Sequence, residues 1–286
     1  QTFRVYLDRR MMRIGLLGLI SGFPWVLIGS ALSLWLKEDG LSRATIGWAG
    51  LIFGVYAINF LWAPLIDRIQ IPFLTARLGH RRAWILSLQA VILTCLALWS
   101  VLDPVTNLQG VIAIALIIAI ASATQDITID AFRIEQVGPN ESAAMTAGAA
   151  VAVVGWWTGY KLGGVAALVT AETLQQAGVT NYWQFTFLIL GAVVVLCNIG
   201  LMAVSEAPPA ERAQAQAEDE RVLRSRLNFG GVLAAIVTWL GTTLIGPLAS
   251  FFRRNGMAIA LAVLGFIFLF KIGEAFLGRM SIIFYK

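Results

Sequence analysis

The sequence predicts an all-α, polytopic membrane protein, on three observations. Hydrophobic residues make up 58% of the 286 and charged residues 13%, with a mean hydropathy of +0.78; a water-soluble fold has no place for that much apolar side chain. Apolar runs long enough to cross a bilayer core of about 30 Å, roughly 20 residues each, recur along the chain. Between them the arginines gather in alternate loops, the pattern that orients helices in a membrane.

The runs lie at about 14–35, 45–66, 83–101, 108–130, 144–170, 183–204 and 257–280. Arg4, Arg9, Arg10 and Arg13 precede the first. Arg68, Arg77, Arg81 and Arg82 join the second and third, and Arg133 follows the fourth. Arg212, Arg221, Arg224, Arg226, Arg253 and Arg254 separate the sixth from the seventh, whereas the opposite loops hold only Lys37 and Arg43. Lys and Arg collect on the cytoplasmic side, so the N-terminus is expected there. A net charge of +5 spread in this way belongs to loops at a membrane surface, and no nucleic-acid partner is expected.

Three regions follow from composition. Residues 1–204 form six spans with short loops, 205–256 a cytoplasmic linker, and 257–286 one further span. Within the linker, 206–226 alternates acidic and basic residues and reads as a solvated connector. Phe229–Arg254 is apolar but broken by Gly230-Gly231 and Gly246-Pro247, and two readings stand: an eighth span or an interfacial helix. The interfacial reading is preferred, because crossing would carry Arg253 and Arg254 to the poorly charged side. Cys95 and Cys197 fall inside apolar runs as small hydrophobes, so neither a disulfide nor a metal site is expected. A chain that starts at Gln1 and stops just after a seventh span suggests a two-bundle transporter cut soon after its second half begins.

The polar residues inside the spans narrow the function. Asp126 and Asp130, at i and i+4, share one helix face, with Gln125 beside them as a candidate substrate contact. An intramembrane carboxylate costs roughly 2.5–3.5 kcal/mol, so it should face a cavity or a partner, and burial with a like-charged neighbour suits it to reversible protonation. For Asp130 an ion pair with Arg133 or the loop after the second span is the stronger reading; for Asp126 proton carriage is. Lys161 lies mid-span, too deep to snorkel, and suits an anionic group of a substrate or an acidic partner. Trp157 and Tyr160 flank it, for stacking on a ring or for packing. Gly155, Gly159 and Gly163 form a small-residue stripe for close helix packing. Lys271 and Glu274, at i and i+3, either neutralise each other or meet a cavity. Ser21-Gly22-Phe23-Pro24 weakens the first span and can open a hinge or a polar patch.

Between the second and third spans, Trp62-Ala-Pro-Leu-Ile-Asp67-Arg68 and then Leu78-Gly79-His80-Arg81-Arg82 resemble the signature loop of the major facilitator superfamily. Its Asp67, Arg68, Arg81 and Arg82 would act in gating, with Asp67 paired to an arginine. His80, the sole histidine, lies in this loop and is not expected to relay protons. Gln125-Asp126…Asp130-Ala131 and Lys271-Ile-Gly273-Glu274 are similar to motifs of the AmpG and acetyl-CoA transporter family within that superfamily. The resemblance implies an N-terminal six-helix bundle, a linker and the first helix of a truncated second bundle. It implies proton-coupled import of anhydro-muropeptides across the bacterial inner membrane, energised by the proton gradient without a cofactor. The partners it implies are a small sugar-peptide or other organic anion, protons, lipid and the chain's own C-terminal bundle. Alternatives are a coenzyme A or acetyl-CoA carrier and, from another class, a non-transporting sensor or scaffold. An intramembrane aspartyl protease is disfavoured, since neither its Tyr-Asp nor its Gly-x-Gly-Asp context is present.

Overall fold

A computed structural model describes residues 2–137, 140–206, 241, 243 and 246–284. The described chain is helical without strands, as expected. The long helices are α1 (Arg9–Glu38), α2 (Arg43–Leu61), α3 (His80–Trp99), α4 (Leu108–Glu135), α5 (Ser142–Gln176), α6 (Tyr182–Leu201), α7 (Gly246–Asn255) and α8 (Met257–Phe284). The six anticipated spans from 14 to 204 fall on α1 to α6 in order.

Polar caps set where several helices start. The carboxylate of Asp8 accepts from the Arg10 N–H ahead of α1 at 2.9 Å, Ser42 Oγ from Thr45 N at 3.1 Å ahead of α2, and Asn107 Oδ1 from Gly110 N at 3.1 Å ahead of α4. Gly79, with φ of +91°, makes the left-handed turn that lets α3 begin at His80. Gly256, at +76°, does the same between α7 and α8, whose axes meet at 116°. Residues 207–240, which hold most of the anticipated linker and the start of its lateral helix, lie outside the described residues.

Among the described residues five helices are long and apolar enough to cross a membrane, or up to six if the bent α7–α8 pair counts as one. That differs from the seven spans read from sequence, and the difference falls on α5 and, unless it is counted with α7, on α8. α5 is the longest helix, yet its glycines, Trp156, Trp157 and Lys161 dilute the hydropathy that a buried apolar span would show. Those residues have another use.

The chain divides into two compact units, Gln1–Val55 with Arg81–Ala207, and Tyr56–His80 with Pro208–Lys286. In the larger unit α1 packs against α5 backbone to backbone. A Cβ on Gly155 would overlap the carbonyl of Gly15, one on Gly159 that of Leu19, and ones on Gly18 and Gly22 the carbonyls of Ala152 and Trp156. The glycine stripe read from sequence thus meets a second stripe on α1. Around this pair, Leu17, Ile20, Ile85, Ile129, Phe132, Cys197 and Leu201 form a core where α1, α3, α4 and α6 converge. At the far end, Trp35, Trp99, Trp183 and Phe187 interlock with ring centroids 4.8–5.9 Å apart. Val153, Val154, Leu162 and Val165 of α5 and Leu196 and Ile199 of α6 are exposed, as lipid-facing residues are.

Gly159→Leu should therefore destabilise the purified protein by about 2–3 kcal/mol, the cost of forcing side-chain atoms into a packed interface. Gly164→Leu, where nothing lies within 4 Å, should leave the thermal midpoint in detergent unchanged. Equal effects at the two positions would show that the contact between α1 and α5 carries no special weight.

Candidate functional site

Three groups of polar residues are built into the larger unit. The first gathers the arginine-rich ends of its helices. Arg10 donates through both terminal nitrogens to the Glu141 carboxylate at 2.9–3.0 Å, tying α1 to α5, and Arg13 donates to Ser205 Oγ beyond α6. Arg81, buried, donates to Glu135 Oε1 at 3.1 Å, tying α3 to α4. Glu206 sits at the start of α3, where its two oxygens accept the backbone N–H groups of Arg81 (2.7 Å) and Arg82 (3.2 Å). A helix N-terminus offers unpaired N–H donors and a positive dipole end, so a carboxylate is favoured there.

Asp67 and Arg68 stand on the short helix Ala63–Arg68 of the smaller unit. His80 opens α3 half-buried, its Nε2 2.8 Å from the carbonyl oxygen of Ile66, rather than lying free in a loop. Asp130 is 70% exposed and ion-paired to Arg133 at 3.3 Å, the stronger of its two readings from sequence.

The second group lies at mid-span. Pro24 is inside α1 and has no N–H, so the carbonyl of Ile20 loses its helical donor. Gln125 of α4, wholly buried, supplies one: its Nε2 donates to the Ile20 oxygen at 3.1 Å. The next residue of α4, Asp126, is half-buried and accepts from Ser21 Oγ at 2.5 Å. Two consecutive side chains of α4 thus enter one weakened turn of α1. Gln125 fills a structural vacancy, which the sequence reading had not foreseen when it set the residue beside Asp126 toward a substrate.

Lys161 on α5 forms the third group. Its Nζ lies 5.7 Å from the Trp157 ring centroid and 5.6 Å from that of Tyr160, within cation–π range. Trp156 lies on Tyr160 with centroids 5.6 Å apart and planes 16° apart, and Trp25 of α1 meets Trp156 edge-on at 5.4 Å. Gly155 meets Gly15, Gly159 meets Leu19 and Gly163 meets Phe23, while Gly18 meets Ala152 and Gly22 meets Trp156, so α1 and α5 run parallel, with Lys161 opposite the stretch of α1 from Ser21 to Leu27. Lys161 and the Ser21–Asp126 pair therefore both lie along the middle stretch of the α1–α5 contact. The side chains of Lys271 and Glu274 on α8 lie outside the described residues.

At the end opposite the arginines, a cleft of about 480 Å³ is lined by Glu38, Asp39, Asp103, Tyr182 and Gln184 among others. Glu38 accepts from the Tyr182 hydroxyl and the Trp183 indole at 2.8 and 2.7 Å. Burial, reinforced by the charge of Asp103, holds the Asp39 carboxyl above the usual carboxylate range.

Residues 14–284 match the sequence profile of the Major Facilitator Superfamily. The chain belongs to that superfamily. Similar proteins include one of Rickettsia felis named as the transporter AmpG 4, 30% identical over 99% of this chain and 61% of that protein. The anhydromuropeptide permease of Escherichia coli K12 is 30% identical over 96% of this chain and 48% of its own length. A protein of Rickettsia conorii named as the transporter AmpG 1 reaches 39% identity over 56% of this chain. The chain thus spans roughly half to three-fifths of the length of the first two relatives. The superfamily and the apolar helices mark the chain as part of a multi-pass membrane protein, and the AmpG-like resemblance extends over nearly its whole length.

Glu135 and Glu206 escaped the sequence reading, although both fall just past apolar runs on the side of the arginine loop, where that position is the available signal. Removing Glu135 leaves buried Arg81 short of a carboxylate. Glu135→Ala should cost about 3 kcal/mol, against less than about 1 kcal/mol for Asp130→Ala at the surface, both read by thermal unfolding in detergent. For Asp39 the folded chain keeps a proton that the unfolded chain releases between the ordinary carboxylate value and its raised one. Stability falls as pH rises through that window, and Asp39→Asn should remove the fall and raise the thermal midpoint at neutral pH.

Proposed function

We propose that the transporter to which this chain belongs imports anhydromuropeptides by proton symport across the bacterial inner membrane, with the arginine-rich end in the cytoplasm. Asp126 carries the coupling proton, and Lys161, between Trp157 and Tyr160, meets an anionic group of the substrate. The observation that supports this reading is that Lys161 and the Ser21–Asp126 pair both lie along the middle stretch of α1 and α5. Transporter sites lie near the midplane between helix bundles, and both groups are too costly in hydrocarbon to be idle there. The name of the Escherichia coli relative supplies the substrate class. An aromatic pair beside a cation suits a ligand that combines a sugar ring with a carboxylate.

The arginine-rich end serves as the gate. Asp67, Arg68, Arg81 and Arg82, the residues of the signature loop, are assigned to it rather than to the substrate. The carboxylates of Glu135 and Glu206 hold the two α3 arginines and their backbone in place in the state seen here.

Measured with the native gene product in inverted or right-side-out vesicles, Asp126→Asn should abolish proton-driven accumulation of a radiolabelled anhydromuropeptide yet permit exchange. Lys161→Ala should weaken binding by a factor of ten or more, roughly the worth of one charge-assisted contact. Accumulation by Asp126→Asn at the unmodified level between about pH 5.5 and 7.5 would overturn the proton assignment. Competition by a coenzyme A thioester stronger than by muropeptide would overturn the substrate.

A further inference from the structure

Three serines lie on α1, and they behave differently. Ser30 and Ser33 return their hydroxyls to their own helix, to the carbonyls of Val26 at 3.4 Å and Gly29 at 2.7 Å. This i to i−4 bond is the usual resort of a serine inside a helix. Ser21 instead reaches across to Asp126. Its turn is the one that Pro24 weakens and Gln125 repairs. One turn further on, α1 becomes π-helical over Leu27–Ala31, a form that concentrates where helices bend or work.

Between the weakened turn and the π segment sits Trp25. Its ring packs on Phe53 at 4.8 Å and on Trp156 at 5.4 Å. Trp156 lies on Tyr160, and Tyr160 lies under Lys161. The residue that hydrogen-bonds Asp126 and the first ring of the array that carries Lys161 are therefore four positions apart on one irregular stretch of helix.

We propose that Ser21 is a positioning residue that couples proton binding at Asp126 to the shape of the Lys161 site through this stretch of α1. The proposal rests on the proton-carrying role of Asp126 given above. Ionised Asp126 draws the Ser21 hydroxyl to itself through a charge-assisted bond. A proton on the carboxylate forms one O–H bond there, removes that charge, and frees the hydroxyl to return to the Leu17 carbonyl as Ser30 and Ser33 do to theirs. The turn Ile20–Pro24 then has one crossing bond, from Gln125, instead of two, and Trp25 is less firmly placed against Trp156.

Among the ionisable groups on the elements packed against α4, Arg81 of α3 is paired with Glu135 of α4, Arg82 lies beside Glu206 and His80 meets the Ile66 carbonyl, while Lys37 and Glu38 close α1 at its far end, where Glu38 is bonded to Tyr182 and Trp183. Arg9, Arg10 and Arg13 stand at the start of α1, and Arg10 and Arg13 are engaged by Asp8, Glu141 and Ser205. Lys161 and Glu172 stand on α5, the second about three turns beyond the first. The segments Gly50–Gly54 and Leu27–Ala31 carry none, and Asp130 on α4 itself is paired with Arg133.

Hydrogen exchange of the amides of residues 17–31, followed by mass spectrometry on the purified native gene product without substrate, tests this directly. Between about pH 7.5 and 5.5, after correction for the intrinsic rate, exchange in the unmodified protein should quicken roughly fivefold, as expected for loss of a charge-assisted bond. Ser21→Ala and Asp126→Asn should each show the same corrected rate at both pH values. Ser21→Thr, which keeps the hydroxyl, should restore the difference, and Ser21→Cys, a weaker donor of similar size, should restore little of it. A pH response retained in Ser21→Ala or Ser21→Cys but lost in Asp126→Asn would overturn the role of Ser21 while leaving the proton role intact. Accumulation by Asp126→Asn in the vesicle assay would instead remove the premise. The pH dependence of anhydromuropeptide binding should flatten in Ser21→Ala, and an unchanged profile would count against the coupling.

Discussion

The larger unit depends on how closely α1 and α5 approach. In lipid there is no water to expel from between two helices, so association rests on van der Waals fit and on the few polar bonds available. Glycines on both helices let backbone lie on backbone, and no side chain could be added at Gly18, Gly22, Gly155 or Gly159 without moving a carbonyl. Much else follows from that contact. It sets Lys161 opposite the middle of α1, it brings Trp25 to Trp156, and it points the remaining faces of α1 toward α3, α4 and α6. The glycines that make α5 a weak span by hydropathy are what make it a strong neighbour.

Polar groups inside the bundle are spent on the irregularities of α1. A proline in mid-helix strands a carbonyl, and in hydrocarbon a stranded carbonyl is costly. Gln125 offsets this from the adjacent helix, so the helix break and the buried amide explain each other. Asp126 comes next along α4 and is brought to the same turn by the same packing. Its hydrogen bond to Ser21 is the only one of the two that a change of protonation state can alter.

The fold was largely legible in the sequence because bilayer thickness and charge alternation act on long stretches. Six runs landed on six helices, the stripe at Gly155, Gly159 and Gly163 sits in a helix contact, and Asp130 pairs with Arg133 within one helix, where i and i+3 suffice to see it. Contacts between elements were less legible. Nothing local marks Glu206 as the cap of a helix that starts well over a hundred residues earlier, or Gln125 as the donor for a carbonyl freed by Pro24. α5 shows the converse failure: a hydropathy average treats glycine as dilution and cannot register that a partner lies against it. The division that groups 56–80, including the end of α2, apart from the rest of the first six helices was not visible either, because the signature loop reads as a simple connection.

Glu206 also limits how the chain can diverge. Its two oxygens take two successive backbone N–H groups of α3, while Arg13 and Gln136 bond to Ser205 beside it. The peptide leaving α6 is thus moored at a point defined to a single residue, and by main-chain donors that substitutions in α3 cannot remove. Between Leu201 and Glu206, an insertion or deletion of one residue would pull the carboxylate off its mooring, so natural length variation should be absent there. Sequence at the Arg81 and Arg82 side chains can drift more readily than spacing can.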